Sequence, residues 1–338
     1  GIVTIRASQP GDGGAFGPAR PVIQTFAVLS TPPFTQISSS KGASSVIARR
    51  ADGTLWAWGQ NGDGQLGLGN TSTQWVPVQV GTATDWVQVS NGGYHTVAVR
   101  SNGTLWAAGD NLYGQIGDGT TTDRSSFVQI GTATDWQVAV AGVNHTLALK
   151  TNGTLWAWGR NSDGQLGQGT SDTNANSTPL QVGTLSTWSA IAAGGFHSLA
   201  RRQDGTFWAF GDNGSGQIGN GTFTDATAPV QITAMTNCTN FTAGSSFSAA
   251  IRSDGTLWTW GSNTYGQIGD GTLLSRSSPV QVGAATNWQQ VRAGADHVLA
   301  LRTGGTLWAW GRNLNGQLGQ GYNPVSYTHL TLPTKRIV

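Results

Sequence analysis

The run DGTLWAWG at Asp52 returns as NGTLWAAG at Asn102, NGTLWAWG at Asn152, DGTFWAFG at Asp204, DGTLWTWG at Asp254 and GGTLWAWG at Gly304, spaced 50, 50, 52, 50 and 50 residues apart. No other feature constrains the chain as strongly, because a repeat of this length is one supersecondary unit that must bury its apolar faces against its neighbours. Each copy is followed by Asn-x-x-Gly-Gln-(Leu/Ile)-Gly, from Asn61, Asn111, Asn161, Asn213, Asn263 and Asn313. All but the last then lead into a Val-Gln-(Val/Ile) or Leu-Gln-Val run.

The unit reads as strands. HTVAV from His95 and TLWAA from Thr104 are separated by RSNG, a hairpin signal in which Asn-Gly is expected to take positive φ at both central turn residues. In TLWAW, period-2 alternation sets Trp156 and Trp158 on one face, Leu155 and Ala157 on the other. Both faces are apolar and both must be covered. DWVQV from Asp85, read as an outer strand, and VPVQV from Val76 bring the count to about four strands per unit. Four short strands every 50 residues fit the blades of a β-propeller. Helical repeats would need a 3.6-residue period that this text lacks. The composition agrees: 50 glycines and 15 tryptophans among 338 residues favour strands and tight turns, and 37% hydrophobic residues supply a core. The expected fold class is all-β.

Charge excludes some partners. The net charge is +2, and the 18 basic residues form no run, so nucleic acid is not expected as a partner. No stretch reaches the length of a membrane-spanning helix, and no membrane insertion is expected. Cys238 stands alone, which leaves the redox compartment open. The chain begins at Gly1 without an initiator methionine or signal peptide, so it reads as an internal piece of something longer.

The run L-W-x-W-G-x-N-x-x-G-Q-(L/I)-G-x-G, preceded by G-x-x-H-(T/S)-x-A, resembles the regulator of chromosome condensation repeat, and the likeness covers roughly residues 34 to 321. The resemblance implies a propeller, usually of seven blades, with the residues just before the histidine on a face used for partner contact. Some family members are exchange factors for a small GTPase and others inhibit secreted enzymes. Residues 1–29, with VTIRASQPGD and TFAV, resemble the end of a bacterial immunoglobulin-like domain. That resemblance implies an extracellular or cell-surface protein of several domains, in which the propeller is expected to be a monomeric module. Residues 30–33 read as a linker and 34–325 as propeller, with about six blades and the ring incomplete toward the C-terminus. Residues 326–338 break register and are expected to be a non-native tail.

Candidate sites are scarce. His95, His145, His197 and His297 share one repeat position, where Ser45 and Phe247 stand in other units. Side chains from separate blades do not converge on one metal, so these are expected to make structural hydrogen bonds, and no metal is expected. The loop GQLGQG lacks the following helix that a dinucleotide site requires, and no cofactor is expected. The Asn-Gly-Thr triplets at Asn102, Asn152 and Asn220 are formal glycosylation sequons, explained by turn chemistry. No carboxylate pair or nucleophile with its base breaks the repeat, so no catalytic residue is assigned.

What breaks the repeat is surface-directed. Gln60, Asp110, Arg160, Asp212 and Arg312 follow the Trp-Gly end of the strand; Tyr94, Asn144, Phe196 and Asp296 precede the histidine position; Trp75 is an unrepeated aromatic in a variable loop. A residue fixed by packing should repeat with its frame, so these are expected to face solvent and contact a protein or glycan. The leading expectation is a non-enzymatic binding module. A propeller domain of a secreted hydrolase or lyase is the alternative, and an exchange-factor-like regulator a more distant one.

Overall fold

The computed structural model describes residues 2–7, 22–27, 31–39, 44–319 and 326–331, with side chains for 31–39 and 44–319. The chain divides into Gly1–Phe34 and Thr35–Val338. In the first unit, Ile2–Ala7 pairs antiparallel with Val22–Ala27, Ile2 opposite Ala27. The immunoglobulin-like reading of residues 1–29 otherwise falls outside the described residues.

Six four-stranded antiparallel sheets follow, each a meander, over residues 34–79, 86–129, 136–181, 188–236, 238–281 and 288–331, here blades 1 to 6. The protein is an all-β propeller, with six blades among the described residues. In blade 2 the strands are Trp86–Asn91, His95–Arg100, Leu105–Gly109 and Arg124–Gln129. Ser326–Thr331, set aside above as tail, pairs with Leu307–Gly311 as the fourth strand of blade 6. The strands beginning at the repeated tryptophans, such as Trp86–Asn91, together line a central cavity. DWVQV is therefore an inner strand and not an outer one.

The hairpin at RSNG forms with a different turn from the one expected. Gly103 N–H donates to Arg100 O at 2.9 Å and Arg100 N–H to Thr104 O at 3.0 Å. Only Gly103 has positive φ, +74°, and Asn102 does not. This is the geometry of a type I turn closed by a glycine bulge. Asn102 stays right-handed because its carboxamide oxygen accepts from Thr104 N and Thr104 Oγ1, at 3.1 and 2.7 Å.

The core lies between blades. Val97, Val99, Leu105 and Ala107 of blade 2 pack against Trp136, Ala139, Ala148 and Trp158 of blade 3. Buried tryptophans of this size dominate such an interface. The opening loop motif ties each blade to the next. Asn111 Oδ1 accepts from Ile116 N at 3.0 Å while its Nδ2 donates to Thr120 O and Thr122 O, both at 3.0 Å, shaping the long loop between the third and fourth strands. The carbonyl of Gln115 in that loop then accepts from Trp158 Nε1 at 2.9 Å and Thr146 Oγ1 at 2.8 Å, both of blade 3. Because Thr146 Oγ1 spends its proton on Gln115, the buried His95 Nε2–H donates to it, at 2.8 Å. His145 with Ser198 and His197 with Ser248 repeat the clasp. The histidines are hydrogen-bonding elements between blades.

A further regularity lies in the basic residues. Arg50, Arg100, Lys150, Arg202, Arg252 and Arg302 all end second strands, so part of the basic complement is periodic rather than scattered. Arg100 lies over Trp86 and Trp106 at 4.6 and 4.3 Å, and Lys150 over Trp136 and Trp156 at 4.9 Å each. Such stacks stabilise the blade rim by about 0.5–1 kcal/mol each at exposed sites. Blade 5 replaces its inner tryptophan by Cys238, whose buried thiol is pushed up to about 12 by desolvation.

Blade 2 has Ala108 where blades 1, 3, 5 and 6 have the second tryptophan. Phe127, on its fourth strand, fills the space: a Cβ on Gly67 would come within 2.5 Å of the Phe127 ring, as one on Gly117 would of Trp158 Nε1. Phe127 also packs on Trp86 at 5.3 Å. Ala108→Trp alone is expected to overpack and cost about 1–3 kcal/mol, and Phe127→Pro, the residue at this place in other blades, to recover most of that loss in the double variant. A denaturant titration of the four-member cycle checks this; additive losses would refute the compensation.

Consecutive blades pack face to face, but among the described residues blade 6 does not pack on blade 1 in that way. Leu299, Leu301 and Leu307 are half-buried where Leu147, Leu149 and Leu155 are fully buried, and Ile37 is 65% exposed where Val89 is 1% exposed. The two outer faces of the six-blade array are left partly open.

Candidate functional site

In a four-stranded meander, the turns joining first to second and third to fourth strands emerge at the same end of the sheet. The residues singled out from the sequence lie on those turns or, like Trp75 and Arg160, at the strand ends that flank them, so all share one face of the ring. Backbone bonds join the two sets: Asp110 N–H donates to Tyr94 O at 3.0 Å, Arg160 N–H to Asn144 O at 2.9 Å, and Arg312 N–H to Asp296 O at 2.9 Å.

The expectation that these side chains face solvent needs correction. Gln60 and Trp75 are exposed, Trp75 at 90%. Asn144 is buried, 8% exposed, its Nδ2 at 3.5 Å from Asp110 Oδ2. Tyr94, Phe196, Asp110, Arg160, Asp212, Asp296 and Arg312 are half-buried. The physical reason is that the loops of adjacent blades abut, and a side chain at the seam is covered by its neighbour.

The variable residues make pairings, some across these seams and some within one blade. The Arg160 guanidinium sits over Phe196 at 4.6 Å and Tyr113 at 5.6 Å, donates from Nε to Ser162 Oγ at 2.8 Å and lies 3.9 Å from Asp163. Arg312 pairs with Asp296 at 3.3 Å and lies over Tyr265 at 5.2 Å. Asp110 accepts from Gln115 Nε2 at 2.7 Å and Leu112 N at 3.0 Å. Acidic groups crowd two seams. Burial, with Asp110 and Asp123 nearby, raises the Asp63 carboxyl above its usual range, and burial, with Asp225 and Asp163 nearby, does the same to Asp212 despite the bond from Gly214 N. The face thus combines crowded acidic groups with aromatic-flanked arginines, and both meet at the seam of blades 3 and 4.

Sequence reasoning missed the apolar part of the face. Leu112, Phe223, Leu273, Leu274 and Leu314 stand exposed on the long loops, Leu274 at 65%. The signal was present: Leu112 and Leu314 occupy a position held by Gly62, Ser162, Gly214 and Thr264 elsewhere. An apolar residue that breaks a polar or small position is as informative as a changed charge. Among the described residues no three His, Cys, Asp or Glu side chains come together as a metal would require. What the face offers is contact chemistry: exposed apolar groups among positioned charges.

The RCC1-like domain model matches residues 129–337, more than half of the chain. The chain belongs to the RCC1-like domain family. Single regulator of chromosome condensation (RCC1) repeat models match residues 34–65, 52–99 and 86–115. Among curated proteins none matches. Human WBSCR16 is similar in structure at TM-score 0.79 and 23% identity, covering 96% of this chain and 88% of that one. Yeast RCC1 (Prp20), solved bound to Kap60, gives TM-score 0.78 at 20% identity, covering 89% and 75%. Prp20p from Saccharomyces cerevisiae, described with its binding to Gsp1p and histones, gives 0.79 at 20% identity, covering 89% and 77%. At these identities the likeness shows the fold.

Proposed function

We propose that this RCC1-like propeller is a non-enzymatic binding module whose loop face engages a protein partner. The carrying observation is the concentration of exposed apolar side chains, Trp75, Leu112, Phe223, Leu273, Leu274 and Leu314, on the same face as Arg160 and Arg312. Exposed apolar groups rimmed by polar ones mark interaction sites, and tryptophan and arginine are the residues most enriched among contacts that carry binding energy. A rigid ring holds them at little entropic cost. Yeast Prp20 is solved bound to Kap60 and described with its binding to Gsp1p and histones, which favours protein over glycan.

We place the module outside the cell on the resemblance of residues 1–29 alone. The family matches begin at residue 34 and do not extend to that segment. Trp75→Ala, Leu112→Ala and Leu274→Ala should each weaken capture of the partner, isolated by affinity from the source organism and identified, by about tenfold or more, with Tm unchanged. Leu185→Ala, on a link at the opposite face, should leave capture intact. Equal capture by all four variants would remove the loop face as the site.

A further inference from the structure

The inner strands of all six blades line one cavity of about 550 Å³ at the centre of the ring, within the range of small-molecule sites. Its wall is uneven. At two corresponding register positions blades 1, 2 and 5 carry Gln36 and Ser38, Gln88 and Ser90, and Asn240 and Thr242, whereas blades 3 and 4 carry Val138 and Val140, and Ala190 and Ala192. The polar side chains stitch each inner strand to the next. Gln36 Nε2 donates to Val89 O at 2.8 Å while its Oε1 accepts from Val89 N at 3.2 Å, and Gln88 does the same to Ala139 at 2.7 and 3.1 Å. Asn240 Oδ1 accepts from Val291 N at 2.9 Å. Valine and alanine cannot do this. One side of the cavity is therefore polar, and the other, around Val140, Ala190, Ile191 and Ala192, is apolar.

A single charged residue, Arg292 of blade 6, lines this cavity among the described residues. Its Nη1 donates to Val291 O at 2.9 Å and to Asn240 Oδ1 at 3.3 Å, which holds the guanidinium in place. Nε and Nη2 have no partner among the described residues. Those two nitrogens form one planar edge of the guanidinium, the fork that accepts a carboxylate bidentately. Arg292 is exposed, and its one cation matches one negative charge, as a carboxylate carries, and not the two of a phosphate dianion.

We propose that the central cavity binds a small amphipathic carboxylate, the carboxylate seated on the Nε–Nη2 edge of Arg292 and the apolar body against Val140, Ala190, Ile191 and Ala192. This site is separate from the loop face and does not depend on it. Calorimetric titration with octanoate, octyl phosphate and octanol tests it on the full chain. Octanoate binds, octanol binds at least about tenfold more weakly, and octyl phosphate does not exceed octanoate. Arg292→Gln weakens octanoate by about tenfold or more while leaving octanol and Tm unchanged; Arg292→Lys falls between the two. Ala192→Asp, placing a negative charge on the apolar wall, also abolishes octanoate binding. No octanoate binding to the parent protein, equal octanoate affinity in Arg292→Gln, or octanol matching octanoate would overturn the site. Tighter binding of octyl phosphate would overturn the assignment to a carboxylate.

Discussion

Gly117→Ala should lower the unfolding free energy by about 3 kcal/mol. Two costs combine. Gly117 has φ +88°, where an L side chain costs about 1–2 kcal/mol, and its Cβ would stand 2.5 Å from Trp158 Nε1. Relieving that clash displaces the indole, threatens its bond to Gln115 O and overpacks a seam, for about 1–3 kcal/mol more. Gly131→Ala separates the two costs. Its φ is +61° and a Cβ there meets nothing within 4 Å, so only the backbone strain of about 1–2 kcal/mol applies. Denaturant unfolding of both variants decides: equal losses would show that the close approach of Trp158 contributes nothing.

Acid should loosen the ring through the same seams. His95 is fully buried, and desolvation holds its pKa at about 3 against an ordinary 6.5; burial also lowers that of His297. Between pH 6.5 and 3 the unfolded chain therefore binds a proton that folded His95 does not, so stability falls as pH falls. The contribution is complete above pH 6.5 and is lost progressively below it. At pH 4.5 the loss from His95 alone is about 3 kcal/mol, two pH units at 1.36 kcal/mol each. Blade 5 supplies the control, since Phe247 occupies the histidine position there and is fully buried. His95→Phe should be about 1 kcal/mol less stable at pH 7.5, through loss of the bond to Thr146, yet lose about 3 kcal/mol less between pH 7.5 and 4.5. An unchanged slope in the variant would show that His95 does not govern the acid response.

Much of this fold was legible because a repeat states each constraint six times. The alternation Trp156, Ala157, Trp158 announced a sheet apolar on both faces, and the Asn-Gly pairs announced hairpins. The turn type at Asn102 was not legible, since the side-chain bond to Thr104 that keeps Asn102 right-handed competes with the intrinsic preference of Asn-Gly. Nor was the place of DWVQV in the sheet: a strand's own residues do not say which edge borders the axis. The role of the periodic cations is not legible from a search for charge runs, because Lys150 acts with two tryptophans 14 residues behind it and 6 ahead in sequence.

The candidate face was located by sequence and mischaracterised in its details. Variation at Asn144 and Arg160 was read as exposure. It records instead a set of local pairings, Asn144 with Asp110 and Arg160 with Phe196, which can differ from seam to seam because each seam is closed by its own two residues. The exposed leucines carried a similar signal in the positions they break.

Sequence alone determined the unit, its period, its strand count and the identity of the inter-blade core, because apolar periodicity and turn residues act over a few neighbours. Tertiary structure alone decided what happens between units about 50 residues apart. It set the clasp from His95 through Thr146 to Gln115, the filling of the space beside Gly67 by Phe127 where Ala108 leaves it open, and the gathering of six inner strands around Arg292. Those contacts depend on how neighbouring blades are rotated against one another, and no local pattern encodes that angle.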